Sequence, residues 1–319
     1  MEFAIQAEGL RKAYGDHEAL RGVDLAVEPG SVLGVLGPNG AGKTTIIRIL
    51  STLVEADAGY AKVAGLDVTQ QPNAVRSRIG LTGQYAAVDE RLTGRENLEL
   101  IGTLHHLGRS EAKARAADLL DRLDLVESAD KLSRTLSGGM RRRLDLAASL
   151  VADPVVIFLD EPTTGLDPVS RTVLWGMIRE QVKRGVSVLL TTQYLDEADQ
   201  LADRIAVVDS GQVIAEGSPD ELKTKVGGER LHIRIAESAD MPEIVGRIST
   251  ATTATPLVAE DGCTVSIPVD TDFACVSTVA AALDGAPVEV REFAMRRPSL
   301  DDVFLALTKN SDEKERTVA

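Results

Sequence analysis

Residues 36–46, LGPNGAGKTTI, constrain the fold of this chain most strongly, because the run is rich in glycine and offers almost no side chain for a core. Glycine gives up packing and backbone order, so such a run persists where the backbone itself binds a ligand. The run follows the apolar segment SVLGVLG and precedes the helical pattern TTIIRIL. Backbone N–H groups at such a strand-to-helix junction can surround an anion. The sequence therefore predicts a phosphate-binding loop, with a plain glycine-rich turn as the alternative.

Four residues of this run, Gly37, Gly42, Lys43 and Thr44, fit the spacing G-x-x-x-x-G-K-[ST]. In such a loop the lysine reaches the β- and γ-phosphates and the hydroxyl group coordinates Mg²⁺. We therefore predict that ATP and Mg²⁺ bind here, with Lys43 assisting catalysis and Thr44 binding the metal. The loop residues expected to contact the nucleotide are Gly37, Pro38, Asn39, Gly40, Ala41, Gly42, Lys43, Thr44 and Thr45.

The segment VVIFLDEPTTGLDP places two carboxylates, Asp160 and Glu161, at the end of an apolar run. Beside a phosphate loop, Asp160 can hold Mg²⁺ through water, while Glu161 can orient or deprotonate the attacking water. A carboxylate that merely caps the strand end is the alternative. The catalytic interpretation predicts that the chain hydrolyses ATP.

Composition limits the class of protein and its partners. The 319 residues, 44% hydrophobic and 3% aromatic, suit a globular protein of about two domains. A net charge of -14 argues against nucleic-acid binding, which needs a basic face. Apolar runs such as VVIFL and VSVLL are far shorter than the roughly 20 residues of a membrane span. The opening MEFAIQAEGL lacks the layout of a secretory signal, so we expect any membrane-spanning part to belong to another chain.

Residues 1–226 alternate short β-rich runs with helical patterns, which predicts an α/β nucleotide-binding domain of the P-loop NTPase type. We expect a mostly parallel core sheet and an antiparallel β layer from the first thirty residues. Leucines at helical spacing in residues 111–126 predict a helical subdomain. The candidate buried strands are residues 31–37, 155–160, 186–192 and 204–211.

A second domain is expected over residues 230–310, after the Gly-Gly pair in KVGGER. Its patterns follow the order βαββαβ, which predicts a small α+β domain of the split-βαβ, ferredoxin-like kind. A last helix is expected to begin at Ser299, and residues 311–319 are expected to form a flexible tail.

The segment TLSGGMRRRLDLAASL, residues 135–150, precedes the acidic strand. Here the chain resembles the ATP-binding cassette (ABC) transporter ATPases, whose signature is L-S-G-G-Q. The resemblance implies that Ser137, Gly138 and Gly139 bind nucleotide. It further implies that Tyr14 stacks on adenine, that Gln84 senses Mg²⁺ and faces a membrane partner, and that Asp167 in GLDP links two ATP sites.

The resemblance also implies an assembly. ATP on the phosphate loop of one subunit would be covered by the signature of a second, so a homodimer forms around two Mg-ATP and separates after hydrolysis. An integral-membrane permease would bind this dimer at the cytoplasmic face of the cell membrane, where the ATPase is peripheral.

Several strings narrow the branch of the family: TGQYAAVDERLTGRENL, LSGGMRRRLDLAASL, TTQYLDEADQLADRI and REFAMRRPSLDDVFLALT. They resemble drug-resistance exporters of the daunorubicin and doxorubicin type. By implication the second domain is the accessory C-terminal domain of that group, and the exported compound is an amphipathic drug, antibiotic or lipid. An importer ATPase and a soluble ABC ATPase remain alternatives.

Two positions depart from the family pattern. Gln193 stands where a histidine is usual, and Met140 replaces the signature glutamine. Glutamine can donate a hydrogen bond toward a γ-phosphate but cannot carry the charge of an imidazolium. We therefore expect Gln193 to act in catalysis with reduced power, and a nucleotide sensor that does not hydrolyse ATP is a third alternative.

Overall fold

The computed structural model describes residues 3–83, 88–226, 229–259, 261–269, 273–296 and 299–304. They form two compact units, the first extending to Pro219 and the second beginning at Asp220. The strands are β1 (Ile5–Tyr14), β2 (His17–Val27), β3 (Val32–Leu36), β4 (Ala58–Val63), β5 (Leu66–Asp67), β6 (Ile79–Thr82), β7 (Val156–Asp160), β8 (Ser187–Thr192), β9 (Arg204–Asp209), β10 (Gln212–Gly217), β11 (Arg230–Ile235), β12 (Leu257–Val258), β13 (Thr264–Pro268) and β14 (Val290–Arg296). The α-helices are α1 (Lys43–Leu50), α2 (Pro72–Arg76), α3 (Gly94–Leu104), α4 (Arg109–Arg122), α5 (Gly138–Leu150), α6 (Pro168–Lys183), α7 (Leu195–Leu201), α8 (Pro219–Val226), α9 (Met241–Ala251) and α10 (Phe273–Leu283).

The core sheet of the first unit has the strand order β10-β9-β3-β8-β7-β6. All neighbouring pairs from β9 to β6 are parallel, and β10 pairs antiparallel with β9. Every residue of β3, β7 and β8 is buried, because helices cover a parallel sheet on both faces. This burial explains why these three strands are continuous apolar runs in the sequence. The strand pairing confirms the expected mostly parallel sheet.

The register of these strands assembles the site. Leu36 pairs with Thr192, and Asp160 pairs with Thr191. Because β3, β7 and β8 are parallel, the segments that follow them leave the sheet at the same edge. That edge is where open α/β sheets bind their ligands.

A second, antiparallel sheet has the order β2-β1-β4-β5. Strands β1 and β2 confirm the layer expected from the first thirty residues, whereas β4 and β5, from residues 58–67, were not predicted. Ile5 and Leu20 of this layer share one buried core with Ile46 of α1 and Phe158 of β7. The layer therefore packs against the helix that follows the phosphate loop.

The helical insert comprises α3, α4 and α5. Helix α4 confirms the helix expected over 111–126, but it ends at Arg122, four residues earlier than predicted. Helix α3 begins with a capping box, in which Thr93 Oγ1 accepts from the Glu96 amide and Glu96 Oε2 accepts from the Thr93 amide. Helix α5 carries the signature segment at its N-terminus.

The second unit contains the expected βαββαβ order, and its antiparallel sheet has the order β12-β13-β11-β14. Helices α9 and α10 cover one face, with Ile233, Ile244 and Val279 in the core. Residues 300–304 are helical, and the Ser299 hydroxyl accepts from the Asp302 amide at 3.2 Å, as the cap at Ser299 predicts. Residues 311–319 lie outside the described part. None of the helices over the described ranges is long and apolar enough to cross a bilayer.

Candidate nucleotide site

The loop between β3 and α1 needs glycine for two physical reasons. Gly40 and Gly42 have φ angles of 83° and 107°, which side-chain-bearing residues rarely adopt. At Gly37, a Cβ atom would lie 2.2 Å from the carbonyl oxygen of Val208 in β9. The loop thus forms a narrow cradle from backbone alone, which fits a phosphate chain.

Lys43 is the first residue of α1, and its side chain is 5% exposed. Its Nζ donates to the carbonyl oxygens of Gly37 at 2.7 Å and Pro38 at 3.0 Å. Burial lowers the pKa of Lys43, while the carboxylates of Glu161 and Asp160 act in the opposite direction. The buried ammonium group lies at the centre of the loop, where a triphosphate would offer it stronger partners than backbone carbonyls.

Asp160, at the end of β7, is 4% exposed and lies where three elements meet. Its Oδ1 accepts from Thr191 Oγ1 of β8 at 2.6 Å and from Thr44 Oγ1 of α1 at 3.3 Å. Proteins bind Mg²⁺ through one or two carboxylates, and substrate phosphates and waters supply the other oxygen ligands. The oxygen atoms of Thr44 and Asp160 therefore fit Mg²⁺.

Glu161 follows Asp160 with a φ angle of 50°, in the left-handed region. Its amide donates to Thr191 O at 3.0 Å, and its Oε2 accepts from Thr164 Oγ1 at 3.3 Å. Glu161 Oε1 lies 3.7 Å from Lys43 Nζ, and the two side chains are 12% and 5% exposed. The turn thus directs the carboxylate toward the phosphate loop.

The signature segment starts α5. The Ser137 hydroxyl caps this helix by accepting from the Met140 amide at 3.2 Å. A Cβ atom on Gly139 would lie 2.7 Å from Ser170 Oγ, and Ser170 in turn donates that hydroxyl to Asp167 at 2.6 Å. The Ser170 amide also donates to Asp167, and the two hydrogen bonds from Ser170 lower the pKa of Asp167. The signature and the GLDP loop are therefore packed side by side within one subunit.

One cavity of about 1000 Å³ joins most of these parts. Tyr14 is 43% exposed, and Lys12 Nζ lies 5.8 Å from its ring centroid. Nine of the predicted residues line this cavity: Tyr14, Asn39, Gly40, Gly42, Lys43, Thr44, Thr45, Gly138 and Glu161. The cavity lining does not include eight others: Gly37, Pro38, Ala41, Ser137, Gly139, Asp160, Asp167 and Gln193.

Comparisons with known proteins identify the family. Residues 20–164 match the ABC transporter family, and residues 217–308 match the C-terminal domain of DrrA1-3-like ATP-binding proteins. The chain is 53% identical to the daunorubicin resistance ATP-binding protein DrrA2 of Streptomyces coeruleorubidus, over 98% of each chain. It is 49% identical to the daunorubicin/doxorubicin resistance ATP-binding protein DrrA of Streptomyces peucetius, over 98% of this chain and 95% of the relative. The chain belongs to the DrrA-like family of ABC transporter ATP-binding proteins.

Solved structures agree with this assignment. The ADP conformation of an ABC transporter cassette is 27% identical, with a TM-score of 0.64 over 69% of this chain and 93% of that one. A dimeric bacterial ABC transporter cassette is 25% identical, with a TM-score of 0.62 over 67% of this chain and 98% of that one. The protein is therefore an ATPase of the ABC type, as its sequence predicts.

Gln193 and Gln84 are predicted site residues on the segments that follow β8 and β6. Gln193 follows β8 and is exposed. It lies next to Tyr194, at the start of α7, rather than on the cavity wall. Gln84 lies outside the described residues.

A row of side-chain contacts between α6 and the start of α7 was not predicted from the sequence. The Arg171 guanidinium lies 4.4 Å from the centroid of the Tyr194 ring, and Trp175 Nε1 donates to Glu197 Oε1 at 3.1 Å. Arg171, Trp175 and Arg179 are spaced by four residues, which is the only sequence signal that they share a helix face. The row fixes the backbone beside Gln193 to the helix that begins after Asp167.

The protonation state of Glu197, which belongs to this row, can be tested. It is completely buried, and among the described residues its Oε2 finds no hydrogen-bond partner. Burial raises the pKa of Glu197, although nearby hydroxyl and indole donors act against it. Because the pKa of Glu197 is higher in the folded than in the unfolded protein, the folded state is most stable below the unfolded-state pKa. It loses that stability as pH rises through the folded-state pKa.

Glu197→Gln is therefore expected to raise Tm relative to wild type more at pH 8 than at pH 5. The difference should be about 2–4 °C, the effect of about 1 kcal/mol in a domain of this size. Differential scanning fluorimetry at both pH values measures it. Glu180→Gln, an exposed carboxylate on α6, serves as the control and should show no pH-dependent difference. Equal Tm shifts at both pH values for Glu197→Gln would rule out a neutral buried carboxyl.

Proposed function

We propose that this chain powers the export of an amphipathic drug, antibiotic or lipid through a separate membrane permease, at whose cytoplasmic face it binds. Likeness over almost the whole chain to daunorubicin resistance ATP-binding proteins, including the C-terminal domain, carries the proposal. This likeness favours an exporter over an importer ATPase or a soluble ABC ATPase.

The residues of the site have distinct roles in this proposal. The amides of the loop and the ammonium group of Lys43 bind the β- and γ-phosphates, while Tyr14 supports the adenine. Thr44, Asp160 and Gln84 would hold Mg²⁺, which would neutralise phosphate charge when bound. Glu161 orients the attacking water and accepts its proton. Gln193 donates a hydrogen bond toward the γ-phosphate.

A second copy of the chain completes each site. Ser137, Gly138 and Gly139 of one subunit cover the ATP of the other, and Asp167 connects the two sites. A related bacterial ABC transporter cassette is dimeric, which supports this arrangement. In it, two Mg-ATP hold the dimer closed, and hydrolysis releases it.

An apolar cleft of about 330 Å³ offers a place for the permease. Its lining includes Leu53 and Leu104, which are 61% and 68% exposed, and Leu81 of β6. Strand β6 leads through Gly83 directly to Gln84, the residue expected to face the membrane partner. An apolar segment of the permease in this cleft would contact the strand that ends beside the ATP site.

Transport into membrane vesicles tests the proposal. The chain and its permease are expressed together, and inside-out vesicles are measured for ATP-dependent doxorubicin accumulation. Leu104→Glu should abolish accumulation and reduce co-purification with the permease about 10-fold or more, since it charges an apolar contact. ATP binding by the isolated subunit should stay unchanged.

Val126→Glu, at an exposed residue away from the cleft, is the control and should retain transport. Wild-type vesicles that hydrolyse ATP but accumulate neither doxorubicin nor a fluorescent lipid would overturn the assignment of cargo. A Leu104→Glu subunit that still binds the permease would overturn the assignment of the cleft.

A further inference from the structure

Arg142, one turn into the signature helix α5, holds the end of β7 and the segment before Gln84 together. Its Nε donates to Pro162 O at 2.6 Å, and its Nη1 donates to Gly83 O at 2.9 Å. Its Nη2 donates to Glu161 O at 2.8 Å and to Asp160 O at 3.2 Å. Four of the five N–H groups of the guanidinium are thus bound to carbonyl oxygens.

The backbone at Glu161 makes this arrangement possible. Carbonyl groups of an extended strand point alternately to its two sides, so three consecutive ones do not normally reach one donor group. The left-handed φ angle of 50° at Glu161 breaks the alternation. A residue other than glycine or asparagine is strained in this conformation, and such strain persists only where surrounding contacts maintain it. The guanidinium of Arg142 provides those contacts.

The surroundings also explain why a cation stands here. Burial lowers the pKa of Arg142, and the nearby carboxylates act in the opposite direction; they belong to Asp145, Glu197, Asp160 and Glu161. The charge of the guanidinium offsets part of this negative potential.

We propose that Arg142 is a positioning residue that ties the backbone turn at Glu161, and hence its carboxylate, to the signature helix. Residue Gly138, where ATP of the other subunit is expected to bind, lies one turn earlier on the same helix. A displacement of α5 on closure of the dimer is therefore transmitted to the turn that carries Glu161. The inference rests on the catalytic role proposed above for Glu161.

Arg142→Lys is the test, because an ammonium group keeps the charge but loses the planar fork. We expect kcat for ATP to fall about 10- to 100-fold, as for a misplacement of about 1 Å, with KM changed less than about twofold. Hydrogen exchange of the nucleotide-free protein gives a reading independent of activity. The amides of Thr164 and Leu166, which donate within the turn to Glu161 O and Thr163 O, should exchange about tenfold faster or more.

Arg143→Lys is the matched control. Arg143 lies next in α5, and its Nη1 donates to Leu123 O at 3.2 Å and Asp124 O at 3.0 Å, within the helical insert. This variant should keep wild-type kcat and turn exchange. Unchanged kcat or unchanged exchange in Arg142→Lys would overturn the proposal, as would equal losses in both variants. If Glu161→Gln retained wild-type turnover while Arg142→Lys still loosened the turn, the role of Glu161 would fail and the contact would remain structural.

Discussion

Glu161→Gln is expected to bind Mg-ATP at least as tightly as wild type and to hydrolyse it roughly 10²- to 10⁴-fold more slowly, the usual contribution of a general base. The amide keeps the size of the side chain but cannot accept the proton of water. The substitution also removes a carboxylate that lies 3.7 Å from Lys43 Nζ and would repel a triphosphate. Phosphate release measures turnover, and nucleotide titration measures binding.

The same variant should accumulate as the ATP-bound dimer, since the step that opens the dimer is lost. Size-exclusion chromatography with light scattering in saturating Mg-ATP detects this state. Glu55→Gln, an exposed carboxylate, is the control and should turn over ATP like wild type. Unchanged hydrolysis by Glu161→Gln would refute its role. A variant that stays monomeric with saturating Mg-ATP, alone and beside the permease, would refute dimerisation around the nucleotide.

Lys43→Met is expected to lose ATP binding by about 100-fold or more, because charge-assisted hydrogen bonds to phosphate are lost from a buried position. Its fold should persist. The apolar side chain removes the cost of burying an ammonium group, and this gain opposes the loss of the hydrogen bonds to Gly37 O and Pro38 O. We therefore expect the Tm of the free variant to stay within a few degrees of wild type.

Thermal unfolding with and without Mg-ATP separates these two effects. A ligand that binds the folded state raises Tm with concentration, so wild type should be stabilised and Lys43→Met should not. Lys183→Met, at an exposed lysine in the last turn of α6, should respond to Mg-ATP like wild type. Full stabilisation of Lys43→Met by Mg-ATP would show that the amine does not contact the phosphates.

Local sequence patterns were sufficient for the central core strands and for the loop, but not for β4, β5, β6 and β10. β3, β7 and β8 were predicted because both faces of each are buried, which leaves a continuous apolar run. The loop after β3 was predicted because its left-handed glycines and its lysine are close in sequence. The order βαββαβ of the second unit was predicted from alternation and turn residues, and the observed sheet confirms it.

The partners of individual side chains were not predictable in this way. Three consecutive arginines, residues 141–143, follow the first three residues of α5. Helical spacing gives each of them a direction but does not say which group lies there. Only the packing of α5 shows that Arg142 donates to Gly83 O, 59 residues away in sequence, while Arg143 donates to Leu123 O after α4. The burial of Glu197 against Trp175 has the same origin, since α6 and α7 meet only after β8 is placed.

The sequence by itself determined the glycine-rich loop between β3 and α1, the acidic end of β7 and the family, because these depend on spacing along the chain and on backbone conformation. Tertiary structure decided which carbonyls Arg142 holds, that Glu161 adopts a left-handed turn, and which predicted residues share a cavity. The physical reason is that hydrogen bonds and burial join segments far apart in sequence, and their geometry is set when the helices pack on the sheet.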